Sequence, residues 1–230
     1  MDPSLYLQHV AYDSVIFGFS GDQLKILIME YHNTGFFALP GGFVRVDENV
    51  DDAARRGLKE RTGLDNIFLE QFHAFGNTSR HQPEVMATIL RANGHDVNQY
   101  KWITGRFVSI AYYALINYEH VVPQPDALSD SCTWYPVDKL PRLIFEHDAI
   151  VRKAMETLRE NLDRKLVGMN LLPEKFTMKE LQKVYEAILG KKLRRTTFQR
   201  KMLLSEVLNR HEKQYNGKAH KAPFLYSFKS

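Results

Sequence analysis

One stretch in the first quarter of the chain combines carboxylates and guanidinium groups at a regular spacing. Glu48 and Arg56 lie two helical turns apart, and Glu60 and Arg61 follow within the next turns. Carboxylates at positions i, i+3 and i+4 of a helix share one face, and such a face can gather hard divalent cations, which bind several oxygen ligands. Here Glu60 stands beside a guanidinium. The pattern therefore predicts a poor Mg²⁺ site and a structural pair between Glu48 and Arg56.

The order of these residues resembles the Nudix box, G-x5-E-x7-R-E-U-x-E-E-x-G-U, in which U is aliphatic. The positions in register are Gly42, Glu48, Arg56, Leu58, Glu60, Gly63 and Leu64. In Nudix hydrolases the three glutamates of R-E-U-x-E-E bind the cation. Gly57 and Arg61 occupy the first and third of those positions here, and Gly57 costs the helix about 1 kcal/mol relative to Ala. The resemblance therefore implies a Nudix fold with no metal, no cofactor and no catalytic residue.

Charge divides the chain into two parts of opposite sign. Of its 31 Lys and Arg and 27 Asp and Glu, 14 basic and five acidic residues lie in 169–230, a net charge of +9. The remaining residues carry a net charge of −5. This asymmetry predicts an acidic body joined to a basic binding module.

The composition also bounds the class of protein. A hydrophobic content of 44% in 230 residues is enough for one or two buried cores. The single cysteine, Cys132, excludes an intrachain disulfide and fits a reducing cytoplasm. The sequence has no signal-peptide pattern and no apolar segment of bilayer length. We therefore expect a cytoplasmic protein that does not bind a membrane.

The spacing of apolar residues predicts an α/β domain over residues 1–165. Apolar runs on either side of Gly21-Asp22 predict a β-hairpin. A capped helix begins near residue 49, and a long amphipathic helix spans 147–166. Interleaved strands and helices indicate an α/β sandwich. The predicted strands are 10–19, 24–30, 68–75, 107–116 and 134–137.

Residues 166–230 have the pattern of a winged helix. After a linker at 167–173, Thr177 and Glu180 form a capping box for a helix that Gly190 ends. A second helix begins at Thr196 or Thr197, and two short helices joined by a tight turn are typical of a helix-turn-helix. Its predicted buried side is Phe198, Met202 and Leu203, and strands at 207–213 and 223–228 would form the wing around Asn216-Gly217.

The whole chain resembles the bacterial NrtR family of Nudix-related transcriptional regulators. The matching phrases are 75–77, 108–115, 170–177, 180–190 and 198–201. The resemblance implies a Nudix α/β/α sandwich with a mixed sheet, followed by a C-terminal winged helix-turn-helix. It also implies a homodimer that binds a palindromic double-stranded operator and a small effector. Effectors known in the family include ADP-ribose and sugars such as arabinose.

The predicted sites follow from this arrangement. Glu60, Arg80 and Arg106 are the candidate effector-binding residues, because arginines suit an anionic or polyhydroxy ligand. Polar residues at the start of a recognition helix meet base edges, and basic residues beside it meet phosphates. The candidate DNA-binding residues are Lys191, Lys192, Arg194, Arg195, Thr196, Thr197, Gln199, Arg200, Lys201, Arg210, Lys213 and Lys218.

Two alternatives and one departure from the family pattern accompany this interpretation. The chain could be a Nudix hydrolase acting on nucleoside-diphosphate derivatives, or an adaptor whose basic domain binds an acidic protein. About twenty residues, Glu84–Gly105, are inserted relative to the family pattern. They begin with a short amphipathic segment at 84–91, and we expect the insertion to tune the sensor without touching DNA. The sequence leaves open the effector's identity, the operator, the regulated genes and whether binding represses or activates.

Overall fold

The computed structural model describes residues 2–20, 22–65, 67–117, 121–163, 171–214 and 222–229. Its N-terminal part is a mixed sheet with helices on both faces, so the predicted α/β sandwich is confirmed. The described strands of this sheet are β1 (Tyr6–Ser20), β2 (Gln23–Tyr31), β3 (Phe37–Ala38), β4 (Gly41–Arg45), β5 (Phe68–Phe75), β6 (Val108–Ile116) and β7 (Ser129–Pro136). The described helices here are α1 (Val50–Thr62), α2 (Pro83–Ala92) and α3 (His147–Asn161).

Strand β1 is the centre of this sheet. It pairs antiparallel with β2, as the predicted hairpin requires, although Gly21 of the turn lies outside the described residues. It also runs parallel to β6, from Val10 opposite Val108 to Gly18 opposite Ile116. Its first half pairs with β4, which places Asp13 opposite Gly41. The strand that leads into the box helix, β4, and the strand that follows the insertion, β6, therefore meet on β1.

Successive side chains of β1 point to opposite faces of the sheet. Ile16 packs in the cluster that holds Leu58 of α1, whereas Val15 packs in the cluster that holds Ile150 of α3. Both helices were predicted from the spacing of their apolar residues. Ala53 of α1 is buried, as that spacing requires. The predicted end of α3 at residue 166 lies beyond Asn161, and residues 164–170 are outside the described part.

The insertion forms regular structure and buries some of its apolar side chains. Helix α2 begins with a proline at its first turn, a favourable position, and a short 3-10 helix spans Val97–Tyr100. Ile89, Leu90 and Ile103 are buried. The predicted amphipathic segment at 84–91 is therefore confirmed as a helix.

The C-terminal part is a winged helix. Its helices are α4 (Met178–Leu189) and α5 (Arg195–Leu204), and its sheet has the order β8 (Phe176–Thr177), β10 (Phe224–Phe228), β9 (Leu208–Lys213). The predicted capping box between Thr177 and Glu180 is present, and Gly190 ends α4 in the left-handed conformation. The tip of the predicted wing, Asn216-Gly217, lies outside the described residues.

One predicted core residue of α5 is wrong. Phe198 and Met202 are buried, but Leu203 is 47% exposed. Positions i and i+4 share one face of a helix, and Leu203 follows that stripe by one residue. It therefore projects away from α4.

The winged helix packs against the end of α3 and against β2. Arg159 Nε donates to the carbonyl oxygen of Ile188 at 2.9 Å, and the hydroxyl of Tyr185 donates to the carbonyl oxygen of Leu162 at 3.4 Å. The predicted division at 165/166 falls within 164–170, outside the described residues, so it stays a prediction. Among the described residues, no helix is long and apolar enough to cross a membrane.

Candidate functional site

A cavity of about 510 Å³ opens between β1, β4, the start of α3 and the insertion. Its size falls in the range of pockets that hold small molecules. The lining combines aromatic rings with a few charged groups, including Glu60, Arg61 and Arg80. Residues Met86, Ile103 and Thr104 of the insertion complete the wall. The site thus has the chemistry of a pocket for a ligand with both apolar and anionic parts.

A buried carboxylate, Asp13, lies at the floor of the cavity. Arg80 Nη2 donates to its Oδ2 at 3.0 Å, and the hydroxyl of Ser109 donates to the same oxygen at 2.5 Å. The Arg80 and Asp13 side chains are only 8% and 10% exposed. Removing one partner of a buried ion pair strongly destabilises a protein. The pair therefore fixes the positions of the side chains at the cavity floor.

His147, at the first position of α3, completes this network in one tautomer. The backbone N–H of Leu39 donates to its Nδ1 at 2.9 Å, so the ring proton is on Nε2. That nitrogen lies 3.4 Å from Asp13 Oδ1. Burial holds the pKa of His147 below its ordinary value, against the opposing effect of Asp13. The imidazole is therefore neutral near neutral pH and lies beside the Asp13 carboxylate.

The turn before α3 is strained and is held by residues from the insertion side. Phe145 and Glu146 both have positive φ angles, 55° and 58°, a conformation that costs non-glycine residues about 1–3 kcal/mol each. Arg80 Nη1 donates to the carbonyl oxygen of Phe145 at 2.9 Å. The Phe145 N–H donates to Gln82 Oε1 at 3.3 Å. The start of α3 thus depends on groups that line the cavity.

The box helix α1 places its charged residues along the opposite wall. Arg56 donates to both carboxylate oxygens of Glu48, at 3.0 and 2.7 Å, and these bonds lower the pKa of Glu48. The predicted structural pair is therefore confirmed. Arg56 also lies 3.3 Å from Glu60, and Arg61 pairs with Asp126 at 3.1 Å. Both charges at the end of the box are thus already neutralised within the protein.

An aromatic wall closes the outer side of the cavity. The Trp102 ring, from the insertion, stacks on Tyr6 with a centroid distance of 5.6 Å and an interplanar angle of 17°. It also contacts Phe43 at 4.8 Å, and Phe43 in turn contacts Phe107 at 5.2 Å. Tyr6, Phe43 and Phe107 line the cavity. Their rings are tilted against one another, and each offers an apolar face on which a planar heterocycle can stack.

The predicted effector residues are only partly brought together. Glu60 and Arg80 line the same cavity, whereas Arg106 is exposed and outside its lining. The Arg106 guanidinium instead donates to the carbonyl oxygen of Gly76 at 2.5 Å. Sequence reasoning missed Asp13 and His147. Asp13 was detectable as the lone carboxylate of an apolar strand, whereas nothing in the sequence links His147 to it.

The candidate DNA-binding residues form an exposed surface at the start of α5. Lys191, Arg194, Arg195 and Arg200 are exposed and have no ion-pair partner among the residues that the structure describes. Lys192 pairs with Glu186 and Lys201 with Asp163. Thr196 and Thr197 are exposed and Gln199 is half-buried, whereas Lys218 lies outside the described residues. On β9, Arg210 lies 3.5 Å above the ring centroid of Phe224, which Lys213 also approaches.

Glu186 and Gln182, not predicted from the sequence, hold the turn of the helix-turn-helix. The Leu193 N–H donates to Glu186 Oε1 at 2.9 Å, and Gln182 Nε2 donates to the carbonyl oxygen of Leu193 at 3.0 Å. The Leu193 backbone bond, with Gln182 and Lys192, lowers the pKa of Glu186 to about 2. Their i, i+4 spacing was the available signal. These two residues set the position of α5 relative to α4.

Comparison with known proteins identifies both parts. Residues 7–158 match the NUDIX domain and residues 168–228 match the NrtR DNA-binding winged helix domain. The ADPR responsive transcriptional repressor NtrR of Acinetobacter baylyi is 32% identical over 203 residues, which cover 85% of this chain and 72% of the relative. The chain belongs to the NrtR family. It is therefore a DNA-binding transcriptional regulator with a Nudix domain, as predicted.

Structural comparison agrees with membership of the NrtR family. The crystal structure of Shewanella oneidensis NrtR complexed with a 27mer DNA has a TM-score of 0.73 and 29% identity to this chain, covering 96% of it and 94% of the NrtR chain. The predicted fold class is therefore confirmed. The Nudix part is also 28% identical over 134 residues to an ADP-ribose pyrophosphatase of Methanocaldococcus jannaschii, which covers 57% of this chain and 66% of the enzyme.

Proposed function

We propose that this regulator is a repressor that releases its operator when ADP-ribose occupies the Nudix cavity. The observation that carries the proposal is the cavity itself, which joins an aromatic wall to buried guanidinium groups. An adenine base fits the first surface and a diphosphate fits the second. The Acinetobacter relative, an ADP-ribose-responsive repressor, supports ADP-ribose over a sugar as the effector.

DNA recognition is proposed to use α5 in the major groove of each half-site of a palindrome. Thr196, Thr197 and Gln199 would read base edges, while Arg194, Arg195 and Arg200 would contact phosphates. All but the half-buried Gln199 are exposed, and α5 is fixed to α4 by the turn that Glu186 holds. A homodimer would place two such helices one helical turn of DNA apart.

Helix α3 is the proposed connection between the two functions. Its first residue, His147, lies 3.4 Å from Asp13 at the cavity floor, and the strained turn before it depends on Arg80. Its other end contacts α4 through Arg159 and Leu162. A ligand that changes the contacts of Arg80 can shift α3 and, with it, the winged helix. Such a shift requires that the ligand bind the two arrangements with different affinity.

A direct test uses an operator selected from a random duplex library with the full-length protein. Fluorescence anisotropy would then follow the complex as ADP-ribose is added, with AMP, ribose 5-phosphate and arabinose as controls. We expect ADP-ribose to dissociate the complex and the fragments to act weakly or not at all. Release by arabinose, or no release by ADP-ribose, would contradict the proposed effector.

The chain is also proposed not to hydrolyse nucleoside-diphosphate derivatives. Gly57 and Arg61 stand where the box has metal-binding glutamates, and Glu60 is paired with Arg56. The archaeal ADP-ribose pyrophosphatase makes hydrolysis the alternative to test. Mg²⁺-dependent turnover of ADP-ribose at about 1 per second or faster, abolished by Glu60→Gln, would establish the enzyme instead.

A further inference from the structure

The side chain of Tyr12 occupies the space that the first carboxylate of a Nudix box needs. A Cβ atom placed on Gly57 would lie 2.1 Å from the Tyr12 hydroxyl and 2.9 Å from the ring carbon that bears it. Real Cβ contacts essentially never fall below 3.0 Å. The ring is only 3% exposed and is also close to Gly42, where a Cβ would lie 2.7 Å from the same hydroxyl. Residue 57 therefore cannot carry a side chain while Tyr12 keeps this position.

The other two positions of the box do not fit a divalent cation either. Arg61 brings a positive charge and is held by Asp126 at 3.1 Å. Glu60 is the single carboxylate left, and Arg56 lies 3.3 Å from it. Mg²⁺ binds through carboxylates and retains several waters in an octahedral shell. Within the described ranges, no group of three potential metal ligands comes together. The residues present thus do not fit the cation that the fold implies.

Arg61 of the box and two residues outside it, Tyr12 and Arg80, instead supply hydrogen-bond donors to the cavity. The Nε atoms of Arg61 and Arg80 are buried and have no hydrogen-bond partner in the described part of the chain. Both residues line the cavity together with Tyr12. Burial raises the pKa of Tyr12 to about 12, so its hydroxyl keeps its proton. Arginine side chains are suited to phosphate oxygens.

We infer that this cavity binds the diphosphate of its effector on the donors of Tyr12, Arg61 and Arg80, without a divalent cation. The inference rests on the proposed function, because ADP-ribose supplies the diphosphate. Glycine at position 57 therefore has a second consequence besides the absence of a metal-binding carboxylate. It leaves space for the phenol of Tyr12, which takes over part of the cation's role in binding the diphosphate.

The binding test is calorimetry of the full-length chain with ADP-ribose, in EDTA and in excess Mg²⁺. We expect the same affinity in both buffers. Tyr12→Phe keeps the ring and removes one donor to a charged group, so we expect about tenfold weaker binding or more. The matched control is Tyr113→Phe, because that hydroxyl donates to Glu70 outside the cavity lining, and its affinity should equal that of the wild type.

Thermal melting tests the predicted clash between Tyr12 and a side chain at position 57. Gly57→Ala should lower the melting temperature even though Ala favours a helix over Gly, and the loss should disappear in a Tyr12→Ala background. A stabilising Gly57→Ala would overturn the steric argument.

The outcomes separate this inference from the proposed function. Binding that requires Mg²⁺, or equal affinities for wild type and Tyr12→Phe, would overturn the inference and leave ADP-ribose as the effector. Absence of binding in both buffers would overturn both.

Discussion

The cavity and the recognition helix place their charges in opposite surroundings. In the cavity, Asp13 and Arg80 are buried and each has a partner inside the protein. On the recognition helix, Arg194, Arg195 and Arg200 are exposed. Electrostatic interactions are stronger where water is excluded, so the cavity depends on a few fixed contacts. The helix depends on several exposed contacts. Each of these contacts is weaker, because salt screens exposed charges.

The two regions should therefore respond differently to substitution. A single change in the cavity removes a partner that water cannot replace, which affects both folding and ligand binding. A single change on the helix removes one phosphate or base contact among several. Substitutions in the cavity should therefore affect folding most, and substitutions on the helix should affect DNA binding alone.

Arg80→Ala is expected to destabilise the protein by about 3–5 kcal/mol, because it leaves Asp13 buried without its ion-pair partner. Urea unfolding of the full-length chain measures the effect. Arg106→Ala is the matched control, since that side chain is exposed, and we expect its effect to be much smaller. Equal losses for the two variants would show that the buried pair is not special.

Gln199→Ala is expected to cost operator binding about 1–3 kcal/mol and to relax preference at one base pair. The reason is the proposed position of Gln199 at the start of α5, where a side chain can read a base edge in the major groove. Selection of operators with the variant protein measures the change in preference. An unchanged base preference at every position would exclude Gln199 as a reader.

Arg194→Ala is expected to weaken all DNA sequences alike and to reduce the salt dependence of binding by about one unit per contact. Binding to operator and to scrambled duplex at several salt concentrations distinguishes this pattern from that of Gln199. Arg55→Ala is the control, because Arg55 is equally basic and exposed but lies on α1 of the Nudix domain. If the Arg194→Ala and Arg55→Ala proteins bind DNA with the same affinity and the same salt dependence, Arg194 does not contact phosphate. The adaptor hypothesis would then gain support.

The smallest predicted effect concerns acid. The pKa of Glu186 is lowered from 4.5 to about 2, mainly by the Leu193 N–H, so the carboxylate stabilises the fold above pH 4.5. That contribution is lost as the pH falls from 4.5 towards 2. Glu186→Gln should therefore flatten the acid dependence of the melting temperature in this window. An unchanged pH profile would remove Glu186 from the account of the turn.

The sequence predicted the winged helix in more detail than the cavity, for a physical reason. The capping box at Thr177, the stop at Gly190 and the wing strands are local patterns, each set by neighbours in the chain. The predicted burial of Leu203 was wrong because the apolar stripe of the helix was extended by one residue. The cavity floor joins Asp13, Arg80, Ser109 and His147, which are far apart in sequence. Only the strand pairing brings them together, so no local pattern could predict their contacts.

The Nudix box is an intermediate case. Its spacing predicted α1 and the Glu48–Arg56 pair, which are local features of one helix and the turn before it. The spacing also marked Gly57 and Arg61 as departures from the family pattern. It could not predict that Tyr12, from a strand more than forty residues earlier, fills the space beside Gly57. That contact depends on the register between β1 and β4.

The central claim is that the cavity and the DNA-binding helix are coupled. Linkage requires that if ADP-ribose weakens operator binding by some factor, the operator weakens ADP-ribose binding by the same factor, typically about 5–150-fold. The decisive measurement is the affinity for ADP-ribose of the free protein and of the protein saturated with operator. We predict weaker binding to the complex, by the factor that anisotropy gives for operator release. Equal affinity in the two states would contradict the account.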